Sequence, residues 1–260
     1  MADALETRPT DSNLFIPSYR VQGEGPLLVN IAGLDGTGEM IFKQMPSLSR
    51  LYRVVSFRQR DHGQFTYEDL ANDVAGIIRN LDESRATIVA ESFGGGVALT
   101  FALRYPEMVD RLVIVNSFPR YRERIRIKLA AKLAEVVPFR LVFPVRFVAS
   151  LLGLKVDGVT AEDRRRFFEI IRRIDGNGYA RRLKLISELD LDDRLPEIKV
   201  PTLLIGTEHD LLVRSIREAH FMASRIPHAR VRIIRGVGHA CLLGSRVNLA
   251  DIITEWVNSD

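Results

Sequence analysis

Short runs of consecutive apolar residues, rich in β-branched side chains, alternate along this chain with longer stretches whose apolar positions recur every three or four residues. The runs Leu27 to Ile31, Tyr52 to Phe57, Thr87 to Val89, Arg111 to Asn116, Val200 to Gly206 and Val231 to Arg235 are too dense for one helix face, and they predict strands buried on both sides. Leu14 to Gln22 alternates weakly and predicts an edge strand, closed by the turn Gly23-Glu24-Gly25-Pro26. Helical spacing covers Met40 to Leu48, Tyr67 to Leu81, the stretch from Val97, Val213 to Ile226 and Asn248 to Val257. In the second of these, Thr66 is placed as the cap with Asp69 at the capping-box position, and Leu70, Val74, Ile77, Ile78 and Leu81 share one face. Strands alternating with helices in this way predict an α/β fold with a mostly parallel central sheet and helices on both faces.

One segment breaks the rhythm. Ile125 to Val136, Val142 to Leu152, Ala161 to Ile174 and Tyr179 to Leu189 are helical in spacing with no strand between them, and Pro138, Pro144, Gly153, Gly158 and Gly176-Asn177-Gly178 punctuate them. The chain is therefore expected to divide into a core over 1–118 and 196–260, with a helical lid inserted at 119–195 over the carboxyl edge of the sheet. Pro119 to Leu195 carries 18 Lys/Arg against 11 Asp/Glu, a net of +7 that leaves −3 for the rest of the chain. The simplest account of its arginines is the solvated face of an amphipathic lid. Contact with an acidic partner, or weak peripheral contact with an anionic membrane, with Phe139, Phe143 and Phe147 as the apolar contacts, is the alternative.

Composition narrows the class without adding to the fold. The chain has 260 residues, 46% hydrophobic and 27% charged, as expected of a globular protein with a sizeable core. Its net charge of +4 is too mild and dispersed for a nucleic-acid binder, and no zinc-finger or helix-turn-helix signature accompanies it. Met1 to Ser12 lacks the apolar core of a signal peptide, and arginines interrupt Val136 to Leu154, so a cytoplasmic protein is expected. The single cysteine, Cys241, excludes an intramolecular disulfide.

The chemistry centres on Ala90-Glu91-Ser92-Phe93-Gly94, where strand gives way to helix. A serine on so sharp a turn is forced into strained backbone with its Oγ above the sheet, and only small residues fit two positions to either side. Here these are Ala90 and Gly94, so the pentapeptide is a G-x-S-x-G elbow with alanine for the first glycine. Serine needs an imidazole base, itself oriented by a carboxylate. Asp210 follows one predicted strand by four residues, and His239 follows the next in Gly-Val-Gly-His. Glu208 is the competing acid, while His62, His209, His220 and His228 are expected to be surface or packing residues. Cys241 is expected to be a small buried residue. Ala32-Gly33-Leu34-Asp35-Gly36-Thr37-Gly38 lacks the endings of a nucleotide-binding loop and is read as an anion-stabilising loop, with Asp35 foremost a turn former.

With these residues in place the chain resembles the α/β-hydrolase superfamily over nearly its whole length. The motifs are Ala-Gly-Leu-Asp-Gly-Thr-Gly, Ala-Glu-Ser-Phe-Gly-Gly, Thr-Glu-His-Asp-Leu-Leu-Val and Gly-Val-Gly-His. The resemblance implies an oxyanion hole made by the backbone N–H groups of Phe93 and Leu34, Ala32 standing where the family's His-Gly-x loop has histidine. The loop Arg60-Asp61-His62-Gly63 also departs from the family's Asp-x-Arg-Gly-x-Gly. Esterase, lipase and thioesterase members are the most similar. The expectation is a serine hydrolase for a small or lipid-like acyl ester or thioester, with Ser92, Asp210 and His239 catalytic, Asp35 and Glu91 beside the substrate, and no metal or cofactor. A lipid acyltransferase using the same residues, or a non-catalytic binding protein on this fold, are the alternatives. Aspartate-nucleophile dehalogenases and epoxide hydrolases are disfavoured by serine at position 92.

Overall fold

The computed structural model describes residues 15–136 and 158–259. Seven strands form one sheet: β1 (Tyr19–Gln22), β2 (Leu27–Ile31), β3 (Arg53–Phe57), β4 (Ala86–Glu91), β5 (Val109–Val115), β6 (Thr202–His209) and β7 (Ala229–Gly238). Their spatial order is β1-β3-β2-β4-β5-β6-β7, with β1 antiparallel and all other pairs parallel. The helices are α1 (Met45–Leu48), α2 (Tyr67–Asn80), α3 (Phe93–Arg104), α4 (Arg124–Val136), α5 (Ala161–Arg172), α6 (Gly176–Glu188), α7 (Ser215–Ala223) and α8 (Leu249–Val257).

Successive strand residues feed opposite faces. Val29, Ile31, Ile88 and Ala90 join the core under α2, α3 and α7, while Leu28, Val54, Val89 and Val113 join the one under α8 around Ile253 and Trp256. Burial on both faces is why these strands lack polar alternation. A third apolar cluster, Phe167, Ile171, Ile174 and Leu243, lies above the carboxyl edge. The chain passes from β2 outward to β3 and then returns to β4 on the other side of β2, so the loops after β2 and β4 face each other across a topological switch point.

Several boundaries differ from expectation. Only Tyr19–Gln22 of the first run pairs. Met40 to Leu48 is a 3₁₀ turn over Met40–Lys43 and then α1. At the junction the buried Gln44 side chain donates to the carbonyls of Leu242 and Val247 and accepts from Leu249 N–H. Gly176-Asn177-Gly178 does not break a helix but forms the first turn of α6, because Asp175 accepts from the N–H groups of Asn177 and Gly178. The Thr66 and Asp69 capping box forms. Between β5 and β6 the described residues contain α4, α5, α6 and a 3₁₀ turn at Asp192–Glu197. The helix expected at Val142 to Leu152, with Phe139, Phe143 and Phe147, lies outside the described residues.

Candidate active site

Ser92 sits between β4 and α3 with φ 54° and ψ −120°, a left-handed conformation held from both sides. Its N–H donates to Val115 O at 2.9 Å, and its carbonyl accepts from Ser117 Oγ at 2.6 Å. Gly94 lies so close to β2 that a Cβ there would stand 2.5 Å from Ile31 O and 2.6 Å from Ala32 O. A side chain at that position would push α3, and Ser92 with it, away from the sheet.

His239 follows β7, and its Nε2 stands 3.0 Å from Ser92 Oγ. Its Nδ1 stands 2.9 Å from Asp210 Oδ2, and Asp210 Oδ1 accepts from the N–H groups of Leu212 and Val213 at 3.0 Å each. With the proton on Nδ1, His239 donates to Asp210 and presents a lone pair to Ser92. Burial works against the charged form of His239, but the Asp210 hydrogen bond and the charges of Asp210 and Glu91 outweigh it and raise its pKa. Burial likewise opposes ionisation of Asp210, and its bonds to His239 and to backbone outweigh that, leaving its pKa lowered. Glu208 is exposed and accepts from Gly236 N–H, so it is not the group that meets His239. His62, His209, His220 and His228 are all exposed.

A cavity of about 220 Å³ opens over Ser92. Phe167, Ile171, Ile174, Leu212 and Leu243 form its apolar wall, and Gly33, Leu34, Asp35 and Glu91 lie at the polar end with Ser92 and His239. Gly33 is the neighbour across the switch point, its Cβ position 3.6 Å from Ser92 Cβ. Asp35 Oδ1 accepts from the N–H and hydroxyl of Thr37, which makes it a turn former as well as a wall of the cavity. Glu91 is half-buried; burial and the charges of Asp35 and Asp210, against the pull of His239, raise its pKa to about 7. Among the described residues no group of three or more His, Cys, Asp or Glu is placed to hold a metal ion, and no helix is long and apolar enough to cross a membrane. Cys241 is fully buried, and burial drives its thiol pKa well up, which leaves it unreactive as a nucleophile.

The profile of the alpha/beta hydrolase fold family matches residues 26–244, a span that takes in the elbow, Asp210 and His239. The chain belongs to the α/β-hydrolase family. A protein of Rhizobium rhizogenes named "Putative carbamate hydrolase RutD" is 30% identical over 215 residues, covering 74% of this chain and 79% of its own length. Among solved structures, the enol-lactonase from Burkholderia xenovorans is 26% identical, with a TM-score of 0.72 and coverage of 93% of this chain and 94% of its own. The esterase EaEST from Exiguobacterium antarcticum, 20% identical with a TM-score of 0.79 over 93% of this chain and 96% of its own, shares the fold.

The structure also brings to the site groups that the sequence pattern did not mark. Asn116, fully buried after β5, donates through Nδ2 to the His239 carbonyl at 2.7 Å. Gln59 donates to Ala32 O at 2.8 Å. Arg182 of α6, in the segment whose arginines were expected to face solvent, is wholly buried against the loop after β2. A polar residue ending an apolar strand run was the available sign for Asn116; nothing in the local pattern distinguished Gln59 or Arg182.

Proposed function

We propose that this protein is a serine acyl hydrolase for esters or thioesters with an apolar acyl group. The observation that supports this most strongly is the continuous line from Asp210 through His239 to Ser92, at 2.9 and 3.0 Å, ending at the polar end of an apolar cavity. In the proposed reaction Ser92 Oγ attacks the acyl carbonyl as His239 Nε2 takes its proton. Asp210 keeps the imidazole in the useful tautomer and stabilises its charged form. The N–H groups of Leu34 and Phe93 receive the oxyanion, one such donor being worth roughly 3 kcal/mol. Collapse expels the alcohol or thiol, which takes the proton from His239, and water activated by the same imidazole then releases the acid. The segment between β5 and β6 acts as the lid, with Phe167, Ile171 and Ile174 against the acyl chain.

A carbamate substrate is the second reading, favoured by the names of the relatives. It asks for the same attack, with nitrogen in place of carbon on one side of the carbonyl. Hydrolysis of p-nitrophenyl esters from two to sixteen carbons, and of a p-nitrophenyl carbamate, by wild type beside Ser92→Ala tests both. Turnover is expected to fall on the order of 10⁴-fold or more in the variant, with fluorophosphonate labelling only the wild type. An ester optimum above the carbamate rate favours the first reading, and the reverse order the second. No turnover and no labelling of wild type would sink both.

A further inference from the structure

Arg182 lies in α6 with none of its side chain exposed. A guanidinium keeps its charge and carries five N–H donors, so burying it is costly unless each donor is met. Here each is. Nε donates to Leu34 O at 3.0 Å, Nη1 to Arg60 O at 2.9 Å and Asp61 Oδ1 at 3.2 Å, and Nη2 to Asp35 O at 3.3 Å and the same Asp61 oxygen at 3.1 Å. Neutralising the charge needs only Asp61. The other three acceptors are backbone carbonyls, and two of them belong to the loop facing Ser92.

That loop is held from Ala32 to Gly36. Ala32 O accepts from Gln59 Nε2, Gly33 O from Gly36 N–H, Leu34 O and Asp35 O from Arg182, and Gly36 O from Gln59 N–H. Five consecutive carbonyls are therefore committed: the Leu34 N–H shares its peptide plane with Gly33 O, which Gly36 N–H holds, and Arg182 fixes the next two planes of the same turn. Two glycines make the approach possible. Gly36 has φ +67°, and a Cβ there would stand 2.4 Å from Arg182 Cζ; a Cβ on Gly178 would stand 2.3 Å from Asp61 Oδ1. The same helix contributes Tyr179 to the cavity, one turn before Arg182.

We propose that Arg182 is a positioning residue for the oxyanion site: it seats α6 against the loop after β2 and, through the Leu34 and Asp35 carbonyls, holds the turn that carries the Leu34 N–H toward Ser92. This rests on the acyl-hydrolase function proposed above. The test compares Arg182→Lys, Arg182→Met and Asp61→Asn with wild type on the best p-nitrophenyl ester. A trifluoromethyl ketone of matching chain, whose serine adduct carries an oxyanion, is used as inhibitor beside the methyl ketone, which stays a ground-state mimic. Arg182→Met is expected to lose roughly 10²-fold in kcat and a similar factor in trifluoromethyl ketone affinity. Its KM and methyl ketone affinity are expected to stay within about threefold of wild type. Arg182→Lys, which keeps the charge but reaches fewer carbonyls, should fold and show the same pattern to a smaller degree, and Asp61→Asn smaller still. A folded Arg182→Lys with wild-type kcat and wild-type trifluoromethyl ketone affinity would overturn the proposal. So would a variant whose activity per fluorophosphonate-labelled Ser92 is unchanged while its melting temperature falls, since that is a purely structural role. A wild type that neither turns over esters nor labels removes the underlying function, and the proposal with it, and is told apart by needing no variant at all.

Discussion

Asn116 Nδ2 donates to the backbone carbonyl of His239 at 2.7 Å, while its Oδ1 lies 3.1 Å from Thr207 Oγ1 on β6. One amide thus ties the turn carrying His239 to the strand that leads into Asp210, and the backbone around it is fixed too, Asn116 N–H donating to Ile205 O. Asn116→Leu leaves the His239 carbonyl without its donor, at about 1–3 kcal/mol, and puts a residue poorly suited to φ 48° in that place. Urea denaturation should show a loss of that order, and kcat should fall roughly 10- to 100-fold with KM nearly unchanged, because the imidazole shifts rather than the pocket. Wild-type kcat in a folded Asn116→Leu would show that the His239 turn holds itself.

The strain at Ser92 makes an opposite demand on stability and activity. A non-glycine residue at φ 54° and ψ −120° costs about 1–3 kcal/mol, and Ser92→Gly removes that while adding some unfolded-chain entropy, about 0.5–1 kcal/mol. The variant should be inactive yet melt roughly 2–4 °C higher than wild type. Ser92→Ala keeps the strained backbone and should show no such gain. Equal gains in the two would place the benefit in the lost hydroxyl and not in the backbone.

Two glycine-to-alanine changes should move stability in opposite directions. At Gly94 the added methyl meets backbone oxygens at 2.5 and 2.6 Å that cannot swing aside. Calorimetry should register a loss of about 1–3 kcal/mol together with loss of turnover as α3 lifts from β2. At Gly76, inside α2, the nearest atom would be Ile16 Cγ1 at 3.8 Å, an ordinary contact. Alanine there should stabilise by about 0.4–1 kcal/mol and leave kinetics untouched.

These contrasts mirror what could and could not be seen in the sequence. The strands of the doubly covered sheet stood out because burial on both faces leaves no polar positions, and Ser92, Asp210 and His239 stood out because each follows such a run in the right chain order. β7 extends three residues beyond the expected run at its carboxyl end and two at its amino end. As an edge strand it carries Arg230 outward, which masks its start, and the glycines of Gly236-Val237-Gly238 mask its end. Gly176-Asn177-Gly178 looked like a break because glycine is a poor helix former, whereas the Asp175 cap and the close packing on Asp61 favour it in the first turn of α6. Arg182 was invisible for a different reason. Its place beside Leu183 and Ile186 is ordinary for a basic amphipathic helix, and its carbonyl partners lie more than 120 residues away in the chain.

Glu91 couples the pH dependence of rate and stability. Its pKa is raised to about 7, first by burial, against the pull of His239 and with the push of Asp35 and Asp210. Glu91 in turn helps to hold the His239 pKa above 6.5, after Asp210, against burial. His239 must be neutral to take the proton from Ser92, so kcat/KM should rise with pH through a midpoint above 6.5 that belongs to the interacting pair. Glu91→Gln removes one negative charge near the imidazole; the imidazole then loses its proton at lower pH, and the acid limb should shift in that direction. Stability follows from where the protons sit. Between the ordinary glutamate range and about pH 7 the folded protein binds more protons at Glu91 than the unfolded chain does, so this group makes the fold less stable as pH rises through that window. The raised His239 acts in the same direction in both proteins, and Asp210, lowered, titrates below the window. The advantage in unfolding free energy of Glu91→Gln over wild type, read by urea denaturation, should therefore be small at pH 5 and grow to pH 8, reaching on the order of 2 kcal/mol. An unchanged acid limb, or a stability difference that does not vary with pH, would show that the Glu91 carboxylate is solvated and electrically remote from His239.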